Sequence, residues 1–191
     1  MCVFCGSSVG FEPVFRQAAA ELGRALVHAG HGLVYGGGKV GLMGVVADAV
    51  LDAGGEAIGV IPRALLEREI AHTGLTELVV RDSMHERKAE MVERADAFVA
   101  LPGGFGTFDE LFEVLTWLQL GIHAKPVVIF DVNEFFAPLF ALADEAERAG
   151  FLKPIHRNAA RRAIDVADVL RELATPVPPL VPKWVGEHPA P

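Results

Sequence analysis

Cysteine is scarce in this chain, with two among 191 residues, and both stand in the first apolar run as Cys2 and Cys5. Two thiols cannot form a disulfide framework. Their C-x-x-C spacing would suit a metal or redox pair, but on a strand residues three apart point to opposite faces, so both read as buried structural thiols. The seven histidines form no H-E-x-x-H or comparable metal spacing, and no G-x-S-x-G elbow marks a serine nucleophile. No metal is expected. Basic charge is also short, 17 Lys and Arg against 25 Asp and Glu, and with a formal charge of -8 and no dense basic stripe a nucleic-acid partner is not expected. No apolar run reaches the roughly 18 residues of a membrane span, and the N-terminus lacks the basic and apolar regions of a signal peptide. A cytoplasmic protein without a membrane partner is the expectation.

Hydrophobic residues make up 51% of the chain, enough for one large core, and the length fits a single domain. Short Val/Ile/Leu-rich runs ending in Gly or Pro alternate with segments of helical spacing, the pattern of repeated βα units. The runs predict six strands: 1–5, 32–35, 57–61, 77–81, 97–101 and 126–130. At least six helices are predicted, near 12–29, 42–53, 84–94, 108–120, 134–149 and 166–173. A strand such as Ala97-Phe98-Val99-Ala100-Leu101 is apolar throughout and needs cover on both faces. The expected fold is therefore α/β, a doubly wound Rossmann-like parallel sheet with helices on both sides. A TIM barrel would need two more βα units. Six of the twelve prolines fall between Pro176 and Pro191, so residues 1–175 read as the domain and 176–191 as a proline-rich tail.

In such a sheet ligands bind beyond the carboxyl ends of the strands, which directs attention to the loops after each one. Ser8 follows the first strand and Gly37 the second. Pro102-Gly103-Gly104-Phe105-Gly106-Thr107 after the fifth is the strongest local signal, because glycines let backbone amides approach an anion and a helix N-terminus follows. Phosphate binding and a plain glycine turn are both open readings. Gly36, Gly38 and Gly41 match G-x-G-x-x-G, yet they follow the second strand, and the ribose-binding acid expected at the end of the next strand is missing. No G-x-x-x-x-G-K-[ST] is present. Ser83 to Glu86 fits a capping box that opens a helix carrying Arg87 and Lys88 in its first turns, where cations oppose the helix dipole. Solvent or a neighbouring acid could compensate them. Thr107 to Glu110 fits a second capping box, so Glu110 is either a cap or a carboxylate at the mouth of a phosphate loop that could activate water.

Taken together, Cys5-Gly6-Ser7-Ser8, Tyr35-Gly36-Gly37-Gly38, Met84-His85-Glu86-Arg87-Lys88 and Pro102-Gly103-Gly104-Phe105-Gly106-Thr107-Phe108-Asp109-Glu110 resemble the LOG ("lonely guy") family of cytokinin riboside 5'-monophosphate phosphoribohydrolases. The last segment matches P-G-G-x-G-T-x-x-E in full, and the resemblance fades beyond about Ala160. It implies hydrolysis of the N-glycosidic bond of an N6-modified AMP, and of AMP itself, to free base and ribose 5-phosphate, by a homodimer without a cofactor. It carries over Arg87 and Glu110 as the catalytic pair. Substrate binding falls to Glu69, Lys88, Gly103, Gly104, Phe105, Gly106, Thr107, Asp109 and Thr116, with Ser8 and Gly37 from the first two loops. Asp109 departs from the Glu of many relatives. Members have been labelled lysine decarboxylases, but no lysine here has a recognisable pyridoxal phosphate setting. A nucleotide-binding module without turnover would use the same glycine loops.

Overall fold

The strands pair through backbone hydrogen bonds while their Val, Ile, Phe and Ala side chains alternate between two buried faces, and their register builds one sheet. In the computed structural model, which describes residues 1–66 and 71–178, seven parallel strands run in the order β4-β3-β2-β1-β5-β6-β7. They are β1 (Cys2–Phe4), β2 (Leu33–Tyr35), β3 (Ala57–Pro62), β4 (Glu77–Arg81), β5 (Phe98–Ala100), β6 (Val127–Phe130) and β7 (Ala160–Ala163). The longer connections are α1 (Pro13–His28), α2 (Gly41–Asp52), α4 (Met84–Arg94), α5 (Phe105–Gln119), α6 (Ala137–Arg148) and α8 (Val166–Ala174), with single turns at α3 (Arg63–Leu66) and α7 (Pro154–Arg157).

Two cores result. Val3, Cys5, Val99 and Leu101 face α1, α2 and α8, while Cys2, Phe4, Phe98 and Ala100 face α4, α5 and the Phe136–Phe140 segment. Each Val, Leu or Phe buried in this way stabilises the fold by about 1.5–3 kcal/mol. Alternation separates the two cysteines as expected. Both are free and buried, and desolvation raises both thiols well above their ordinary range.

The seventh strand corrects the expected six. Ala160-Arg161-Arg162-Ala163 lacks the β-branched residues of a strand signal, because β7 is an edge strand whose two arginines are used elsewhere. Arg161 donates to the carbonyls of Glu172, Thr175 and Pro176 at the end of α8, and Arg162 pairs with the buried Asp131. Residues 176–178 remain against the domain, with Val177 packed on the core; positions 179–191 of the expected tail lie outside the described residues. The helix expected near 134–149 begins at Ala137, since Asn133 and Glu134 adopt left-handed conformations with φ of 53° and 58°. No helix among the described residues is long and apolar enough to cross a membrane.

Candidate active site

Strand order reverses between β1 and β5, and the loops that leave these two strands are joined by the Gly6 amide, which donates to the Pro102 carbonyl at 3.0 Å. Side chains could not fit between them. A Cβ on Gly6 would lie 3.2 Å from the Gly103 Cα, and one on Gly103 would collide with the Thr107 hydroxyl. Above this contact opens a cavity of about 260 Å³, lined by Ser7, Ser8, Gly103 and Gly104 on its polar side and by Val9, Phe15, Leu42 and Phe135 on its apolar side. Ser8 was legible as a loop residue. Phe15 and Phe135 were not, since each arrives from a helix start or a loop with no local signal of its own.

Two helices begin beside this crevice, and their N-termini differ. At α2 the amides of Leu42 and Met43 both point to the Gly6 carbonyl, and Gly41 is packed so tightly on Ser7 that a side chain there would overlap it. That explains why G-x-G-x-x-G serves packing here. At α5 the N-cap is Gly104, and the amides of Phe105, Gly106 and Thr107 have no acceptor among the described residues. Open space surrounds the Cβ positions of Gly104 and Gly106. Three free amides at the positive end of a 15-residue helix offer donors suited to an anion.

Helix α5 therefore starts three residues earlier than the sequence predicts, and the second capping box does not form. Thr107 lies in the first turn, buried, and Glu110 turns inward towards α4, which packs on the same face of the sheet. Its Oε1 meets Arg87 Nη2 at 2.9 Å, with both side chains about nine-tenths buried. The first capping box does form: Ser83 accepts from the Glu86 amide at 3.1 Å and fixes the start of α4, while Glu86 reaches back to the Asp82 amide. One turn on, Arg87 passes its Nε to the Val60 carbonyl at 3.0 Å and presses a terminal nitrogen against Gly36, where a Cβ would overlap it.

Burial pushes the Glu110 carboxyl above its ordinary value, and the charge and hydrogen bond of Arg87 recover only part of that rise. A carboxyl displaced upward beside a fixed guanidinium gives up its charge more readily than an exposed glutamate, and when charged it can stabilise a developing cation. Lys88 lies one residue away with its Nζ 3.0 Å from both Asp109 and Glu113, which ties α4 to α5. Desolvation lowers the Lys88 ammonium, but its bonds to Glu113 and Asp109 outweigh this and leave it raised.

The remaining sequence candidates divide. Gly37 backs the site, left-handed at φ 78°, but does not line the cavity. The Phe105 ring projects almost wholly into solvent beside Phe108. Thr116 is not brought to the crevice: it donates to the Phe112 carbonyl and lines a separate, mostly apolar hollow of about 280 Å³ with Leu115, Leu139 and Leu142. Glu69 lies outside the described residues.

The family model described as "Possible lysine decarboxylase" matches residues 43–173. The cytokinin riboside 5'-monophosphate phosphoribohydrolase LOG of Oryza sativa subsp. japonica is 48% identical over 184 residues, covering 96% of this chain and 74% of that protein. A cytokinin riboside 5'-monophosphate phosphoribohydrolase of Arabidopsis thaliana is 47% identical over 173 residues, 91% of this chain and 80% of the relative. Among solved structures, the molybdenum cofactor binding protein of Rippkaea orientalis superposes with a TM-score of 0.68 at 19% identity, covering 89% of this chain and 92% of that one. The molybdenum cofactor carrier protein of Chlamydomonas reinhardtii gives 0.63 at 19% identity over 89% and 92%. These two likenesses establish the fold alone.

Proposed function

Starting from the fact that the chain belongs to the LOG family of cytokinin riboside 5'-monophosphate phosphoribohydrolases, we propose that it hydrolyses the N-glycosidic bond of N6-modified AMP, and of AMP itself, releasing free base and ribose 5-phosphate. The observation that carries this reading is the buried Arg87–Glu110 pair beside an open helix N-terminus. Simple phosphate binding has no use for a carboxylate next to the anion.

The 5'-phosphate sits on the free amides of Phe105, Gly106 and Thr107, with Ser8 across the cavity, and this anchor fixes the ribose for attack. As the bond from C1' to the base breaks, positive charge grows on the ribose and negative charge on the base. Glu110 faces the ribose, stabilises that cation and orients the water that adds to C1'; one proton of the water ends on the departing base. Arg87, whose guanidinium meets Glu110, holds that carboxylate in place and stabilises charge. Lys88 and Asp109 form the outer edge of the same site, and Glu69 and Gly37 complete our substrate-binding set.

The decarboxylase description fits these residues poorly. A pyridoxal phosphate enzyme needs a lysine facing its ligand, and among the described residues no lysine lines the crevice. Lys88 is held by two acids, and Lys125 donates to the Val92 carbonyl.

A cavity of about 260 Å³ is smaller than the 300–1,000 Å³ typical of whole-ligand pockets, so part of the nucleotide extends beyond it. We propose that a second copy of the chain completes the enclosure in a homodimer, which also gives Thr116 and the exposed Phe112 and Leu142 a partner. Residues 1–175 form the catalytic unit, residues 176–191 a tail, and the cytoplasm its location. Incubation with AMP and with N6-isopentenyladenosine 5'-monophosphate, followed by chromatographic measurement of free base, tests the activity. Base release that disappears in Glu110→Gln supports it. Binding of both nucleotides without cleavage would instead make the chain a nucleotide-binding module. Sedimentation analysis tests the dimer.

A further inference from the structure

His72 is one of the few buried polar residues outside the crevice, and three of its bonds are directional. Its ring Nδ1 accepts from the Gly74 amide at 3.1 Å, which puts the proton on Nε2 and makes that nitrogen the donor to Asp48 of α2, 2.8 Å away. Its backbone amide donates to the Gly37 carbonyl at 3.0 Å, and the neighbouring Ala71 forms an isolated bridge with Gly38. The ring thus pins one residue to α2 and to its own turn, and the backbone of that residue pins the Gly36–Gly38 turn.

That turn supports Arg87. Gly37 is left-handed and packs so closely on β3 that a Cβ on Gly59 would lie 2.7 Å from its Cα. Val60, next along β3, supplies the carbonyl that receives Arg87 Nε, and Gly36 is the surface against which the guanidinium rests. A shift of the turn changes the room behind Arg87, and through it the direction of the bond to Glu110.

We propose that His72, held by Asp48, is a positioning residue for the reaction, acting through the Gly36–Gly38 turn on the pose of Arg87. The inference rests on the reading of Arg87 and Glu110 as the reacting pair. No part of it requires His72 to touch substrate.

Steady-state kinetics with N6-isopentenyladenosine 5'-monophosphate test it in His72→Ala, Asp48→Ala and Asp48→Asn. The Asp48 side chain is 60% exposed, so its variants keep the question open if His72→Ala fails to fold. The expected result is a kcat lowered about tenfold in the two alanine variants, since a small misplacement of a reacting group is felt mainly in the chemical step. Asp48→Asn keeps an acceptor for Nε2 and restores most of the rate. Ribose 5-phosphate, read by titration, binds within about twofold of the parent, because the amides of α5 are untouched. In an Arg87→Lys background, which lacks the guanidinium, Asp48→Ala produces no further loss, as expected of residues acting through one group. The proposal is overturned by a parental kcat in both alanine variants, by a loss that persists undiminished with Arg87→Lys, or by a matching collapse of ribose 5-phosphate binding. Failure of the underlying function looks different: the parent then releases no base, and Arg87→Lys changes nothing.

Discussion

Helix α4 carries two arginine–carboxylate clusters that behave in opposite ways. Near its start Arg87 meets Glu110 in a pair that is almost fully buried. At its end Glu90 receives Arg81 and Arg94, and Arg94 also grips Glu77, in a network with side-chain exposures from 14% to 47%. Desolvation wins at Glu110 and raises its carboxyl, whereas hydrogen bonds from Arg81 and then Arg94 win at Glu90 and lower it. Residue type is the same in both clusters. Burial and the number of partners decide whether a carboxylate is held charged for stability or kept ready to change charge.

The largest test of that contrast is removal of charge from the buried pair. Glu110→Gln should lower base release by about 10²–10⁴-fold, the usual worth of a positioned proton-transfer group, when measured by chromatography under saturating nucleotide. Arg87→Ala should cost about 10²–10³-fold in kcat, in line with loss of a preorganised charge donor. Equal rates in parent and either variant would erase the distinction between the clusters.

A smaller effect appears in the pH profile. Protonation removes the Glu110 charge, so kcat/KM should rise with pH and level off at a value above the ordinary glutamate range of about 4.3, because the carboxyl is raised. An acid limb at or below that range would contradict the buried environment.

The smallest effect belongs to the outer network. Glu90→Gln should leave kcat unchanged and reduce stability by about 1 kcal/mol or less, measured by urea unfolding and diminished by high salt. A carboxyl lowered in the folded state stabilises above its unfolded value and loses that contribution as pH falls through its folded value. The difference between parent and Glu90→Gln should therefore close in strong acid. A large loss of turnover in this variant would join the two clusters into one functional unit.

How far the sequence speaks depends on whether a residue's role is local. The apolar run Ala97–Leu101 announced a fully buried strand, and β5 is that strand. The glycines at 103, 104 and 106 announced an open helix start, and the structure supplies it. Ser83 and Glu86 announced a cap that forms. Ala160–Ala163 stayed silent, because an edge strand with two working arginines carries no alternating apolar signal. Thr107 to Glu110 left two readings open for a different reason: a capping box and a carboxylate reaching to a neighbouring helix have the same local pattern, and only the partner, 23 positions upstream at Arg87, separates them. Phe15, Phe135 and His72 share that limit, each gaining its role from elements distant along the chain.

The reversal of strand order has a consequence for the time course of folding. β1 pairs with β2 and β5, and its register sets Cys2 beside Phe98, so the crevice joins loops from the first few residues to loops past the middle of the chain. Closing so long a segment is slow compared with forming the local βα units from β1 to β4. The proposed phosphate site therefore comes into being only after the halves dock. A bound nucleotide should slow unfolding while leaving the refolding rate unchanged, and a nascent chain ending before α5 has no crevice with which to hold one.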